Sequence, residues 1–271
     1  MANRRIRGTE EREKLAVSTL YWLGFDFGQV LRTIGRSSIR NWEIFDDGLH
    51  RLNKLRVEQL RKIARSRDVS YTVHGPICDL NLATLNSELQ PRILKRMMES
   101  LTNAASLEAE TWVLHPGTHG ALSWVHRGDD WKVNRTNIET LQTRGKKLGI
   151  PVTIENISAG YAVLGSVKDF LRLYREWRTG PDMTLDIGHS HIKNETELFL
   201  KKLRDRIRSV HLHDNNGDVD THLALGAGTL DWKRTIKTLV ESGFDGKIIV
   251  ESVKGPYASL VKVEKLLRSL N

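Results

Sequence analysis

The chain has 271 residues, 39% hydrophobic and 28% charged, which is enough for one large domain with a substantial core. It contains no run of about 20 apolar residues that would cross a bilayer, so no membrane partner is expected. One cysteine, Cys78, excludes an internal disulfide and any cysteine-based zinc finger, which leaves metal binding to His and carboxylates. The net charge of +9 favours a polyanionic partner where the charge gathers on one face, and the charged opening lacks the apolar stretch of a secretory signal, so a cytoplasmic location is expected.

In chain order, short apolar runs that read as buried parallel strands alternate with longer amphipathic runs that read as helices. Strands are predicted at 15–20 and 41–45, then a helix at 56–65 and a strand at 69–74. A helix at 92–105 precedes the strand at 111–115, and a helix at 136–147 precedes the strand at 152–155. Helices at 167–177, 195–206 and 233–242 precede strands at 183–186, 209–213 and 247–251, and a helix at 258–267 follows. Eight such units without a long linker predict one domain over residues 1–271, a (β/α)8 TIM barrel with its active site at the carboxyl ends of the strands. An open doubly wound sheet would carry a Gly-rich phosphate turn early in the chain, and none is present.

In such a barrel all strands run one way, so their carboxyl ends share a rim. Six consecutive strand ends carry polar groups: His74, His115, Glu155, Asp186 with His189 close behind, His211 with His213, and Glu251. Burying so many imidazoles and carboxylates is costly unless they are paired or bound to metal. Asp220 and His222 are separated by one residue, so in an extended segment both project to the same side and can clamp one ion. This donor set suits zinc, manganese or another divalent ion. Strand alternation puts His211 and His213 on one face, so either can be the seventh-strand ligand, while Asp214, His119 and His191, like whichever of the two is not bound, suit neighbours that orient ligands.

The segments His74 with Asn81-Leu82, His115-Pro116-Gly117, Glu155-Asn156, Asp186 with His189, His211-Leu212 with Asp214, Asp220-Thr221-His222 with Leu225-Gly226-Ala227-Gly228, and Glu251-Ser252 carry a family resemblance. By them the chain resembles the xylose isomerase-like barrels, and within these most the endonuclease IV group. The resemblance implies three zinc ions. His74, His115 and Glu155 would hold the first. Glu155 would bridge to the second, with Asp186, His211 and Glu251. His189, Asp220 and His222 would hold the third. It further implies hydrolysis of a DNA phosphodiester at abasic sites, by a hydroxide shared between ions about 3.5 to 4 Å apart.

The loop after the fourth strand offers Trp124 and Arg127, with His126 and Trp131, for stacking and phosphate contact; the same tryptophans equally suit packing that loop onto the barrel. The loop 75–82 lacks the aromatic residue that repair enzymes of this group insert into DNA. The alternative expectation is therefore a sugar or sugar phosphate isomerase or epimerase using a single divalent ion held by Glu155, Asp186, His211 and Glu251. There Glu155 and Glu251 would be the acid and base moving a proton through an enediolate, with His189 holding a substrate oxygen. That reading leaves His74, His115, Asp220 and His222 without necessary work.

Overall fold

The computed structural model describes residues 14–158 and 160–270. Eight strands, β1 (Leu15–Ser18), β2 (Asn41–Phe45), β3 (Ser70–His74), β4 (Trp112–Leu114), β5 (Val152–Glu155), β6 (Asp182–Asp186), β7 (Ile207–Leu212) and β8 (Lys247–Val250), form a closed barrel in sequence order. Every pairing is parallel, including β8 with β1, so the expected barrel is observed. Outside lie α1 (Phe27–Arg36), α2 (Lys54–Arg67), α3 (Gln90–Ser106), α4 (Asp129–Leu148), α5 (Val167–Glu176), α6 (Ile187–Ile192), α7 (Thr196–Leu203), α8 (Trp232–Glu241) and α9 (Pro256–Leu270). Among the described residues no helix is long and apolar enough to cross a membrane.

Several boundaries differ from the sequence expectation for local reasons. The first strand stops at Ser18, whose hydroxyl accepts the Leu20 N–H and starts the 3-10 turn Thr19–Trp22. Helix α1 escaped prediction because Gly28 and Gly35 dilute its propensity. Its buried Phe27, Val30 and Ile34 nevertheless form one face, and Asp26 caps it by accepting the Gln29 N–H at 3.0 Å. The run 195–206 divides into α7 and the 3-10 turn Arg204–Arg206.

Outward-facing strand residues such as Ile44, Val73, Leu114, Ile154, Leu185, Leu212 and Val250 join the helices in one hydrophobic core. The inward face is polar. Thr153 and Thr184 are hydrogen-bonded through their hydroxyls at 2.7 Å, and Thr184 and Ser209 at 2.8 Å, across β5, β6 and β7. A side-chain period of two puts the next inward residues, Glu155, Asp186 and His211, one layer nearer the carboxyl rim. Strand register thus aligns the site: Asp186 pairs with His211, and Glu155 with Thr184.

Candidate metal centre

Glu155 is the hub of the rim. Its Oε2 lies 3.2 Å from Nε2 of His74, 3.2 Å from Nε2 of His115 and 3.2 Å from Nδ1 of His211, while Oε1 lies 3.3 Å from Nδ1 of His189. Glu251 Oε2 approaches the same His211 Nδ1 at 3.5 Å. Donor atoms of Glu155, Asp186, His211 and Glu251, from β5 to the end of β8, all fall within 4.8 Å of one another, as do those of His74, Glu155 and His211. A second group joins His189, His213, Asp220 and His222 within the same limit. Each of the nine residues expected from the sequence therefore reaches one continuous cluster.

A divalent cation fits this cluster on the chemistry of its donors. Asp186 Oδ2, His211 Nδ1, Glu251 Oε1 and His213 Nε2 are buried without a hydrogen-bond partner, which is costly for so many polar atoms in one place. All four belong to the donor groups that converge within 4.8 Å. His74 Nδ1 contacts the Gly75 carbonyl at 2.8 Å, which assigns its proton there and leaves Nε2 as a donor to a cation.

Electrostatics sort the carboxyls. Burial opposes ionisation of Glu155, but the neighbouring His211 and His115 outweigh it and hold its carboxyl well below the usual range. Burial pushes Glu251 up to about 8, with His211 opposing and Glu43 and Glu155 adding. Burial disfavours charge on His211 and His189, yet Glu251 beside the first and Asp186 beside the second carry both well above the ordinary imidazole value. His222 is likewise pushed up to about 9, burial being overcome by Asp220.

Residues 23–270 match the profile of the xylose isomerase-like TIM barrels. The chain belongs to that family. An uncharacterised protein of Methanocaldococcus jannaschii is 28% identical over 244 residues, 88% of this chain and 83% of its own length. An inosose dehydratase of Lacticaseibacillus casei is 25% identical over 150 residues, 47% of this chain and 49% of its own length. Among solved structures, a D-tagatose 3-epimerase-like protein superposes with a TM-score of 0.85 at 27% identity, over 95% of this chain and 96% of that one. None of these relatives is a nuclease by name, so the comparisons favour the isomerase alternative over the endonuclease IV reading.

Two residues at the cluster were not counted among the ligands expected from sequence. Glu43 on β2 is fully buried and accepts from His211 Nε2 at 3.2 Å, inside a strand that reads as an ordinary apolar run. His213, left out of the nine, stands among the donors itself. Trp124 and Arg127 are exposed after β4, and among the described residues no hydrogen bond or ion pair joins either to the cluster. Trp131 lies in α4 and packs that helix on α5: it is buried, its Nε1 donates to Glu176 at 2.9 Å, and Arg172 lies 4.0 Å over its ring.

Proposed function

We propose that the protein is a divalent-metal-dependent isomerase or epimerase of a small sugar or sugar phosphate. The observation that carries this reading is the quartet Glu155, Asp186, His211 and Glu251 at the carboxyl ends of four successive strands, with Glu251 Oε1 buried and without a hydrogen-bond partner. Likeness to an epimerase-like protein over nearly the whole chain, and to an inosose dehydratase over about half, supports the same class.

The quartet would hold a divalent ion, which supplies polarisation of adjacent substrate oxygens when bound. Glu155, held ionised, is the base that takes a proton from the carbon beside the carbonyl. Glu251, whose Oε1 has no hydrogen-bond partner, is the partner that returns a proton to the neighbouring carbon, and the substrate passes through an enediolate. His189 is oriented by Asn156, whose carbonyl accepts its Nδ1–H at 2.8 Å. Of the ligands, Asp220 (31% exposed), His115 (23%) and His222 (17%) alone reach beyond deep burial, so substrate enters past them. Arg127 and Trp124, exposed on the same loop as His115, are the candidates for a substrate phosphate or ring.

One observation favours phosphodiester hydrolysis: Glu155 is approached by four imidazoles, more donors than a single-ion isomerase employs. The two readings separate in one experiment. Protein loaded with manganese or zinc is incubated in deuterated water with ketoses, aldoses and their phosphates, and in parallel with an abasic-site duplex. Deuterium entering a sugar carbon, lost in Glu251→Gln, is the expected result. Nicking of the duplex with no exchange into any sugar would replace the proposal by the hydrolase.

A further inference from the structure

We propose that His213 is the fourth protein ligand of a second cation site, rich in imidazole and closed by protein donors, beside the carboxylate-rich quartet. The site comprises His189, His213, Asp220 and His222. It does not depend on which substrate the first site turns over.

His213 is fully buried, and its Nε2 has no hydrogen-bond partner although it lies 3.5 Å from Asp220 Oδ1 and 3.2 Å from Asp186 Oδ1. His222 Nε2 lies 3.4 Å from the same Asp220 Oδ1. Bonds of roughly 2.0 to 2.1 Å around a tetrahedral zinc ion separate neighbouring donors by about 3.4 Å, so these spacings are those of ligands sharing an ion. His189 Nε2 completes the group, 2.8 Å from Asp220 Oδ2.

The tautomers agree. Nδ1 of His189 faces the Asn156 carbonyl at 2.8 Å, Nδ1 of His222 the Glu251 carbonyl at 3.0 Å, and Nδ1 of His213 the Asp214 carbonyl at 3.5 Å. With each Nδ1 directed at a backbone oxygen, the three Nε2 atoms turn toward the Asp220 carboxylate, His213 and His222 facing Oδ1 and His189 hydrogen-bonded to Oδ2. The His213 ring is held there by stacking on His222, with centroids 3.8 Å apart, and by the missing side chain of Gly188, where a Cβ would lie 2.1 Å from its Cε1.

Three imidazoles and one carboxylate suit zinc, whereas three carboxylates and one imidazole suit a harder ion such as manganese. Four protein donors leave no open position for water or substrate, which is the arrangement of a structural zinc site. A zinc ion on these donors would tie the Asp220–His222 segment to the barrel, and Asp186, a member of the quartet 3.2 Å from His213 Nε2, would couple the two sites.

The test reads metal, not turnover. Stripped protein is titrated with Zn2+, then with Co2+ as a spectroscopic probe, and metal per chain is measured after dialysis against a weak chelator. Wild type should retain one tightly held zinc, and its cobalt form should show the intense visible bands of a four-coordinate ion. His213→Gln should weaken that equivalent at least tenfold and flatten the bands, whereas Glu251→Gln should leave both intact. Asp220→Asn, close in shape, serves as a second removal of a donor, and circular dichroism checks the fold of each variant. If folded His213→Gln kept its zinc and cobalt spectrum while Asp220→Asn lost them, His213 would not be a ligand and the proposal would fall. Failure of the isomerase reading would appear only as absent sugar exchange, with these metal results unchanged.

Discussion

Glu251 and Glu155 are both carboxylates at strand ends, yet what surrounds their oxygens separates them. Both Glu155 oxygens face imidazoles, while Glu251 Oε1 has no partner. An unpartnered carboxyl oxygen is free to exchange a proton with substrate. Glu251→Gln, nearly isosteric, should lower the rate of sugar proton exchange by about 10²- to 10⁴-fold without lowering the melting temperature of the metal-free protein. An equal loss of rate and fold would show instead that Glu251 is needed for structure. Glu43 acts through His211: by accepting from Nε2 it directs Nδ1 toward the quartet. Glu43→Gln should therefore weaken metal binding by about 10- to 100-fold, measured by competition with a chromogenic chelator. Nothing in Asn41-Trp42-Glu43-Ile44-Phe45 marks this role, because the contact joins β2 to β7 across the barrel, 168 positions apart. The nine residues that meet at the cluster were legible for the opposite reason: each stands at the end of an apolar run or in a short polar motif.

At the scale of elements, the strands were legible because burial on both faces of a barrel wall compresses apolar residues into short runs. The helices were less so where glycine serves packing: Gly188 sits inside the short α6 and admits the His213 ring, which makes that helix read as loop. The loop after β3 and the loop after β4 lock together in the same way. Asn81 Oδ1 accepts the N–H groups of Ala83 and Thr118 at 2.9 Å each, and its Nδ2 donates to the Thr118 carbonyl at 3.0 Å. A Cβ on Gly117 would sit 2.1 Å from Ala83 N and 2.4 Å from Ala83 Cβ. Because the obstacle includes backbone, it cannot swing aside as a side chain would. Gly117→Ala should cost about 1 to 3 kcal/mol, read as a fall of roughly 2 to 4 °C in melting temperature per kcal/mol, with a further effect on His115 two residues earlier. An unchanged melting temperature would mean that the two loops are not locked as the contacts imply.

For the whole molecule, the buried cluster makes stability depend on pH and metal together. In the metal-free protein Glu251 is raised to about 8 and His222 to about 9, and His74, His189 and His211 also lie above the ordinary imidazole value. A raised group keeps its proton in the folded state after the unfolded chain has released it. Its contribution is fully present below the unfolded value, near 6.5 for His and 4.5 for Glu, and is lost as pH rises through the folded one. The lowered carboxyls Glu155, Asp186 and Asp220 act oppositely, adding stability above their ordinary values and losing it only in acid. Between about pH 6.5 and 9 the raised groups therefore dominate, and each proton difference is worth about 1.4 kcal/mol per pH unit. The melting temperature of metal-free protein should fall by more than about 5 °C across that interval. Excess Zn2+ or Mn2+ should abolish the fall, because a cation needs the same donors unprotonated and binds better as protons leave. A flat profile without metal would show that the cluster does not hold these protons in the folded state, and a fall that metal left unchanged would place its origin outside the rim.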